Sequence, residues 1–265
     1  MGRSVLALLL ALVLVLLVLS CAKQGEEKAE PKQAMADPVA ELAKSVERGK
    51  KLFEDASLGT SGSACISCHV EGGVKDAKMG EKAVRAFVGL SSKYPAYFAG
   101  ASRVMTLSQV NDFCLVNALK GEALKWDDQR LADLTAYAAS VKGMSEIKAD
   151  PEMEKVAAEA LARSVEAGKA LFEDKSLGTS GSTCSTCHAE GGAKAGKMGE
   201  MDIPAFDGVA EKYPRYMALT KKVMTLSQVT NVCITNPLKG EALAWDDQRL
   251  ADLSAYMASV KPAAQ

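Results

Sequence analysis

The chain has 265 residues, enough for one large domain or two of about 100–150 residues. Lysine and arginine number 32 and aspartate and glutamate 33, a net charge of -1, which excludes the overall basic excess of a dedicated nucleic-acid binder. Seven cysteines and only two histidines exclude zinc sites built from several histidines, and aromatic residues, at 5%, are too few to fill two cores unaided.

Residues 1–20 read MGRSVLALLLALVLVLLVLS: one arginine, Arg3, then an apolar run of about fifteen residues. That is the charge and length pattern of a secretory signal; the alternative is a single short membrane span. Val18, Leu19, Ser20 and Cys21 resemble a bacterial lipoprotein box, so Cys21 is the expected lipidation site and first mature residue. Residues 21–38 are polar and charged, a tether rather than a packed segment. The expected location is the bacterial cell envelope, facing the periplasm and lipid-anchored to a membrane. Ala22, where an aspartate would retain the protein at the inner membrane, favours the outer one.

The remainder is a tandem duplication. Residues 45–142 align without a gap to residues 164–261, and 65 of the 98 positions are identical. This sets a first domain at 39–142, a linker at 143–160 and a second domain at 161–261. Within each copy the apolar spacing is helical. Leu42, Val46, Gly49 and Phe53 recur at intervals of three and four, which predicts a helix over 39–54, repeated over 161–172. A Gly-rich loop and a short cysteine-bearing helix follow. Thr106 or Ser108 then caps a third helix reaching Leu119, and Asp127 caps a fourth running to Val141, with Asp246 to Val260 as its second copy. No alternating strand pattern of useful length occurs, so the expected fold class is all-α.

Copy one carries Cys65-Ile66-Ser67-Cys68-His69 and copy two Cys184-Ser185-Thr186-Cys187-His188. C-x-x-C-H is the signature of covalent haem c attachment. Two thiols add to the two vinyl groups on one porphyrin edge, and the adjacent histidine ligates iron. The motif occurs twice at matched positions, behind an export signal, and uses every histidine in the chain. Two covalently bound haem c groups are therefore expected, with Cys65, Cys68, His69, Cys184, Cys187 and His188 as their binding residues. A zinc site of Cys65, Cys68, His69 and Cys114 is the competing reading. Each haem also offers an apolar face in place of the missing aromatics. Gly49, Phe53 and Tyr137, with Gly168, Phe172 and Tyr256, resemble the helix-crossing residues of class I cytochromes c. Two tandem class I domains, each wrapped around its haem, are the expected architecture.

With no histidine left, the distal iron ligand is Cys114 and Cys233, Met105 and Met224, or none. The methionines lie 36 residues after the proximal histidine and the cysteines 45. Met105 and Met224 also read as plain core. Cys114 and Cys233 also read as a disulfide in an oxidising compartment, or as inert buried thiols.

The stretch from Tyr94 to Ala139 (YPAYFAGASRVMTLSQVNDFCLVNALKGEALKWDDQRLADLTAYAA) and its copy from Tyr213 to Ala258 resemble SoxA, the dihaem subunit of the SoxAX cytochromes, and more distantly the dihaem thiosulfate dehydrogenases. The resemblance covers most of both copies. It implies two cytochrome c domains and a cysteine ligand that falls on Cys114 and Cys233. It also implies oxidation of thiosulfate, with a monohaem cytochrome or a sulfur carrier protein as partner. One departure stands out. The family's arginine four residues before that cysteine is replaced by Val110 and Val229, and valine cannot hold an anion by charge-assisted hydrogen bonds. Arg103, Arg215, Lys221 and Lys222 are the nearby cations that could stand in.

Two function classes follow. One is a dihaem carrier passing single electrons between periplasmic or membrane redox partners. The other is a SoxA-like thiosulfate-oxidising cytochrome, in which Cys114 or Cys233 meets the sulfur substrate. The near identity of the copies and the missing arginine favour the first; the resemblance favours the second.

Overall fold

The computed structural model describes residues 36–261; Cys21 and the expected export signal lie outside the described residues. From Ala36 onward the chain forms one compact unit in which the two copies pack on each other.

Helix α1 (Pro38–Phe53) begins where Asp37 accepts a hydrogen bond from the Val39 amide at 3.0 Å, with Pro38 preset for the first turn. Its buried residues are Ser45, Gly49 and Phe53, spaced one turn apart on one face. That face lies on helix α3 (Gln129–Ser140), and the closest approach is at Gly49. A Cβ there would stand 2.8 Å from Tyr137 Cβ and closer still to the Asp133 carbonyl, so only glycine lets the backbones meet. Helix α4 (Pro151–Phe172) crosses helix α6 (Gln248–Ser259) in the same way at Gly168. Between these lie helix α2 (Leu107–Asn117) and its copy α5 (Leu226–Thr235), each opened by a reciprocal box, Thr106 with Gln109 and Thr225 with Gln228. The last helices start one residue later than expected. Asp128 and Asp247, not Asp127 and Asp246, accept from the amides of Arg130 and Arg249.

Besides short helical turns, the described residues hold four two-stranded antiparallel ribbons: β1 (Ala77–Met79) with β2 (Lys82–Val84), β3 (Ala96–Phe98) with β4 (Arg103–Met105), β5 (Gly196–Met198) with β6 (Met201–Ile203), and β7 (Arg215–Met217) with β8 (Lys222–Met224). The all-α expectation missed them because three residues are too few for an alternation signal. Residues 143–149 are pinned along copy one. Asp76 Oδ2 accepts from the Glu146 and Ile147 amides, and Arg85 donates to the Ile147 carbonyl. Residues 151–160, expected as linker, are the opening turns of α4.

The copies meet about a pseudo-twofold axis. Gln109 Nε2 donates to the Asp247 carbonyl and Gln228 Nε2 to the Asp128 carbonyl, both at 3.0 Å. Gln129 donates to the Val223 carbonyl and Gln248 to the Val104 carbonyl. Ser108 and Ser227 hydroxyls meet on the axis at 3.2 Å. Polar residues are buried here because each copy satisfies the other's carbonyls. Replacing Gln109 and Gln228 together by alanine should lower stability by roughly 2–4 kcal/mol in a denaturant titration, since two bonds across the axis and two in the capping boxes are lost at about 1 kcal/mol each. No loss would mean that the axis is held by packing alone.

Candidate functional site

Each C-x-x-C-H sits on a tight turn. In copy one, the Cys68 and His69 amides donate to the Cys65 carbonyl at 3.2 and 3.0 Å, and Ser67 Oγ accepts from the Ala64 amide. In copy two, Thr186 Oγ1 takes the role of Ser67. The turn puts both thiols and the imidazole on one side. Aromatic rings fix the imidazole: Phe87 lies 4.6 Å from His69 and Phe206 4.5 Å from His188, centroid to centroid, with Phe53 and Phe172 behind. Phe87 and Phe206 were missed in the sequence, although they stand at matched positions in both copies. Burial holds both imidazoles below the usual histidine range, hence neutral, the state a metal ligand needs. Nδ1 of each is buried without a hydrogen-bond partner. Neither histidine is thus used as a structural hydrogen-bonding group.

In copy two, Cys184, Cys187 and His188 wall an apolar cavity of about 300 Å³, and Cys233 from α5 lies in the same wall. In copy one, Cys114 lies close enough to Cys65 and Cys68 for their charges to interact. The cavity also takes in Met198, Met217 and Met224, while the copy-one counterpart Met105 is fully buried. Burial pushes the thiols of Cys114 and Cys233 up to about 11, Cys65 to about 11 and Cys184 to about 12. Tyr94 lies beside Cys114 and is pushed up to about 12 by burial. Its counterpart Tyr213, beside Cys233, is raised by burial too, with the Arg215 guanidinium working against the rise.

Two competing readings fall here. Cys114 and Cys233 are free thiols, each facing its own C-x-x-C-H, so no disulfide joins the copies. Among the described residues no group of three or more His, Cys, Asp or Glu is gathered tightly enough to hold a bare metal ion, which removes the zinc site of Cys65, Cys68, His69 and Cys114. Of the four stand-in cations, Arg215 lines the copy-two cavity. Arg103 is turned to the copy interface, donating to the Asp246 carbonyl at 2.6 Å. Lys221 and Lys222 are exposed and do not line the cavity.

A haem fits these residues. The cavity is apolar, the thiols and a neutral imidazole stand on one side of it, and a further sulfur shares the wall.

Two residues before Cys114, Asp112 is 1% exposed. Its Oδ1 accepts from the Leu124 amide at 3.2 Å, and its Oδ2 is buried without a partner. In copy two the equivalent Asn231 makes both bonds, accepting from the Leu243 amide and donating to its carbonyl at 3.0 Å. Burial raises the Asp112 carboxyl to about 7. The unfolded chain ionises this group near pH 4 while the folded chain keeps its proton to about pH 7, so stability is lost as pH rises through that window. Asp112→Asn should therefore stabilise little below pH 4 and by the order of 2–4 kcal/mol above pH 7. Denaturant titrations across that pH range check it; a pH-independent difference would refute the burial argument.

Comparison with known proteins adds the family. The profile of the SoxA/TsdA cytochrome c domain matches twice, over residues 48–145 and 167–261. The chain belongs to the SoxA/TsdA cytochrome c family. A thiosulfate dehydrogenase from Allochromatium vinosum is 33% identical over 106 residues, which is 38% of this chain and 38% of that protein. The crystal structure of SoxXA from P. pantotrophus shares the fold at a TM-score of 0.59 and 17% identity, over 83% of this chain and 74% of that one. The SoxA/TsdA family assignment thus agrees with the resemblance seen in the sequence, and the fold is two tandem all-α domains of cytochrome c type. Among the described residues no helix is long and apolar enough to cross a membrane.

Proposed function

We propose that the chain is a dihaem c-type cytochrome that oxidises a sulfur oxyanion of the thiosulfate class and passes the electrons to partner redox proteins. The observation that carries this is the copy-two cavity, where the C-x-x-C-H and Cys233 share one apolar wall, in a chain of the SoxA/TsdA family. The curated relative carries the name thiosulfate dehydrogenase, which supports the enzyme over the plain carrier. The chain spans well under half of that relative, so its activity enters here as a proposal.

Cys65 and Cys68, and Cys184 and Cys187, would hold the two haems covalently. His69 and His188 would be proximal ligands, and Cys114 and Cys233 distal ones, in preference to Met105 and Met224. When bound, each haem supplies a one-electron acceptor. The chain's own residues bury the site, keep the imidazoles neutral and present a sulfur on the distal side. Joining two sulfur centres through a new S–S bond releases two electrons, which matches two one-electron sites. The second sulfur could belong to another thiosulfate or to a carrier protein's thiol. Lipidation at Cys21 would tether the molecule to a membrane at the periplasm.

The test is spectrophotometric. Thiosulfate added to the oxidised, haem-loaded protein should reduce it, with a new S–S product formed in a ratio of one per two haems reduced. Reduction by partner cytochromes but not by thiosulfate would identify a carrier instead.

A further inference from the structure

The two copies look interchangeable by identity, but their differences are not evenly spread. About half of the residues walling the copy-two cavity differ from their copy-one counterparts, against about a third over the whole repeat. Two of the changes lie beside the distal cysteine. In copy one, Phe98 on β3 and Phe113, the residue before Cys114, pack edge to face at 5.3 Å between centroids. In copy two those positions are Met217 and Val232, both in the cavity wall. An aromatic pair beside one distal cysteine is replaced by smaller or more flexible side chains beside the other.

Copy two also carries a charge here that copy one lacks. Arg215 stands where copy one has Ala96, and it lines the cavity. Its guanidinium lies over the Tyr213 ring, 4.9 Å from the centroid, and its Nε is buried with no hydrogen-bond partner. The rim carboxylate Asp207 pairs instead with Lys212, at 3.6 Å. Among the described residues Arg215 forms no ion pair. The half-buried guanidinium is held by Tyr213 alone, and its unpartnered Nε leaves a charged donor in the cavity wall with capacity for an anion.

We propose that copy two is the anion-receiving site, with Arg215 as the residue that holds a small oxyanion beside Cys233, and that copy one, closed by Phe98 and Phe113, serves only to hold and relay an electron. This rests on the reading of the chain as an oxidiser of sulfur oxyanions and says which haem meets the substrate. It also answers the missing arginine: the cation comes from β7 rather than from the turn before the cysteine.

The experiment titrates the oxidised, haem-loaded full chain with two anions, thiosulfate and the redox-inert sulfate, and follows the low-spin EPR signals. The copy-two signal is assigned by its loss in Cys233→Met. Sulfate should perturb that signal alone, thiosulfate should perturb it and then bleach both signals as the haems are reduced, and Arg215→Met should weaken the sulfate response about tenfold or more, the size of a charge-assisted hydrogen bond. Ala96→Arg combined with Phe98→Met should make the copy-one signal respond as well. Equal perturbation of both signals by sulfate in the wild type, or a sulfate response unchanged in Arg215→Met, overturns the assignment even if thiosulfate is oxidised. An Arg215-dependent response to sulfate without oxidation of thiosulfate keeps the anion site and overturns the sulfur-oxidation reading. No response to either anion overturns both.

Discussion

Replacing Cys233 with methionine should move one haem from a low to a markedly higher reduction potential. A thiolate donates negative charge to iron and stabilises the ferric state, whereas a thioether does not. The shift should be tenths of a volt, within the ~0.8 V that axial ligands command. Cys114→Met should do the same to the other haem, so the two substitutions together should raise both steps of a redox titration. Their effects on thiosulfate oxidation should differ. Cys233→Met should abolish it, since that cysteine shares the open cavity with Arg215. Cys114→Met should only slow it, by altering the relay. Potentials unchanged in both variants would take the cysteines off the irons and return Met105 and Met224 as ligands.

Gly168→Ala should destabilise the protein although helix propensity says the opposite. In an exposed helix interior the change would gain about 1 kcal/mol. At Gly168 the added Cβ meets the Asp252 carbonyl and stands 2.8 Å from Tyr256 Cβ. Opening the α4–α6 crossing to admit it costs roughly 1–3 kcal/mol, and more for Gly168→Val. Packing therefore offsets or outweighs propensity, and the net should be a loss of up to about 2 kcal/mol for alanine. The crossing also holds Tyr256, whose hydroxyl donates to the Gly191 carbonyl at 3.0 Å in the segment following His188. Loosening it should therefore lower haem retention as well. Thermal unfolding and haem content of purified protein check both; a stabilised Gly168→Ala would show that the helices have room to spare.

What could be read from the chain was whatever repeats or has fixed spacing. The C-x-x-C-H motifs and the crossing glycines with Phe53 and Phe172 stand at matched positions in both copies, the structure brings the helices together at those glycines, and of the two cap candidates it selects Thr106. The last helices begin one residue off because Asp127-Asp128 and Asp246-Asp247 offer two adjacent caps, and which of them turns back is decided by the loop before it. The interface between copies left no mark, since Ser108, Gln109, Ser227 and Gln228 are polar and carry no apolar pattern that would signal burial. They are buried because the other copy's carbonyls accept from the two glutamines and the two serine hydroxyls meet each other. The asymmetry of the sites was hidden for a different reason. Identity counts every position equally, and only the fold shows that Arg215, Met217 and Val232 face one cavity.

The measurement that tests the central claim most directly is low-temperature EPR of the oxidised, haem-loaded protein. Low-spin ferric signals with the narrow g spread of His/thiolate ligation are expected, two in number. They would put Cys114 and Cys233 on iron opposite His69 and His188. Wide-spread signals of the His/Met type would contradict the account, placing Met105 and Met224 on iron and leaving the distal cysteines without a role in sulfur chemistry.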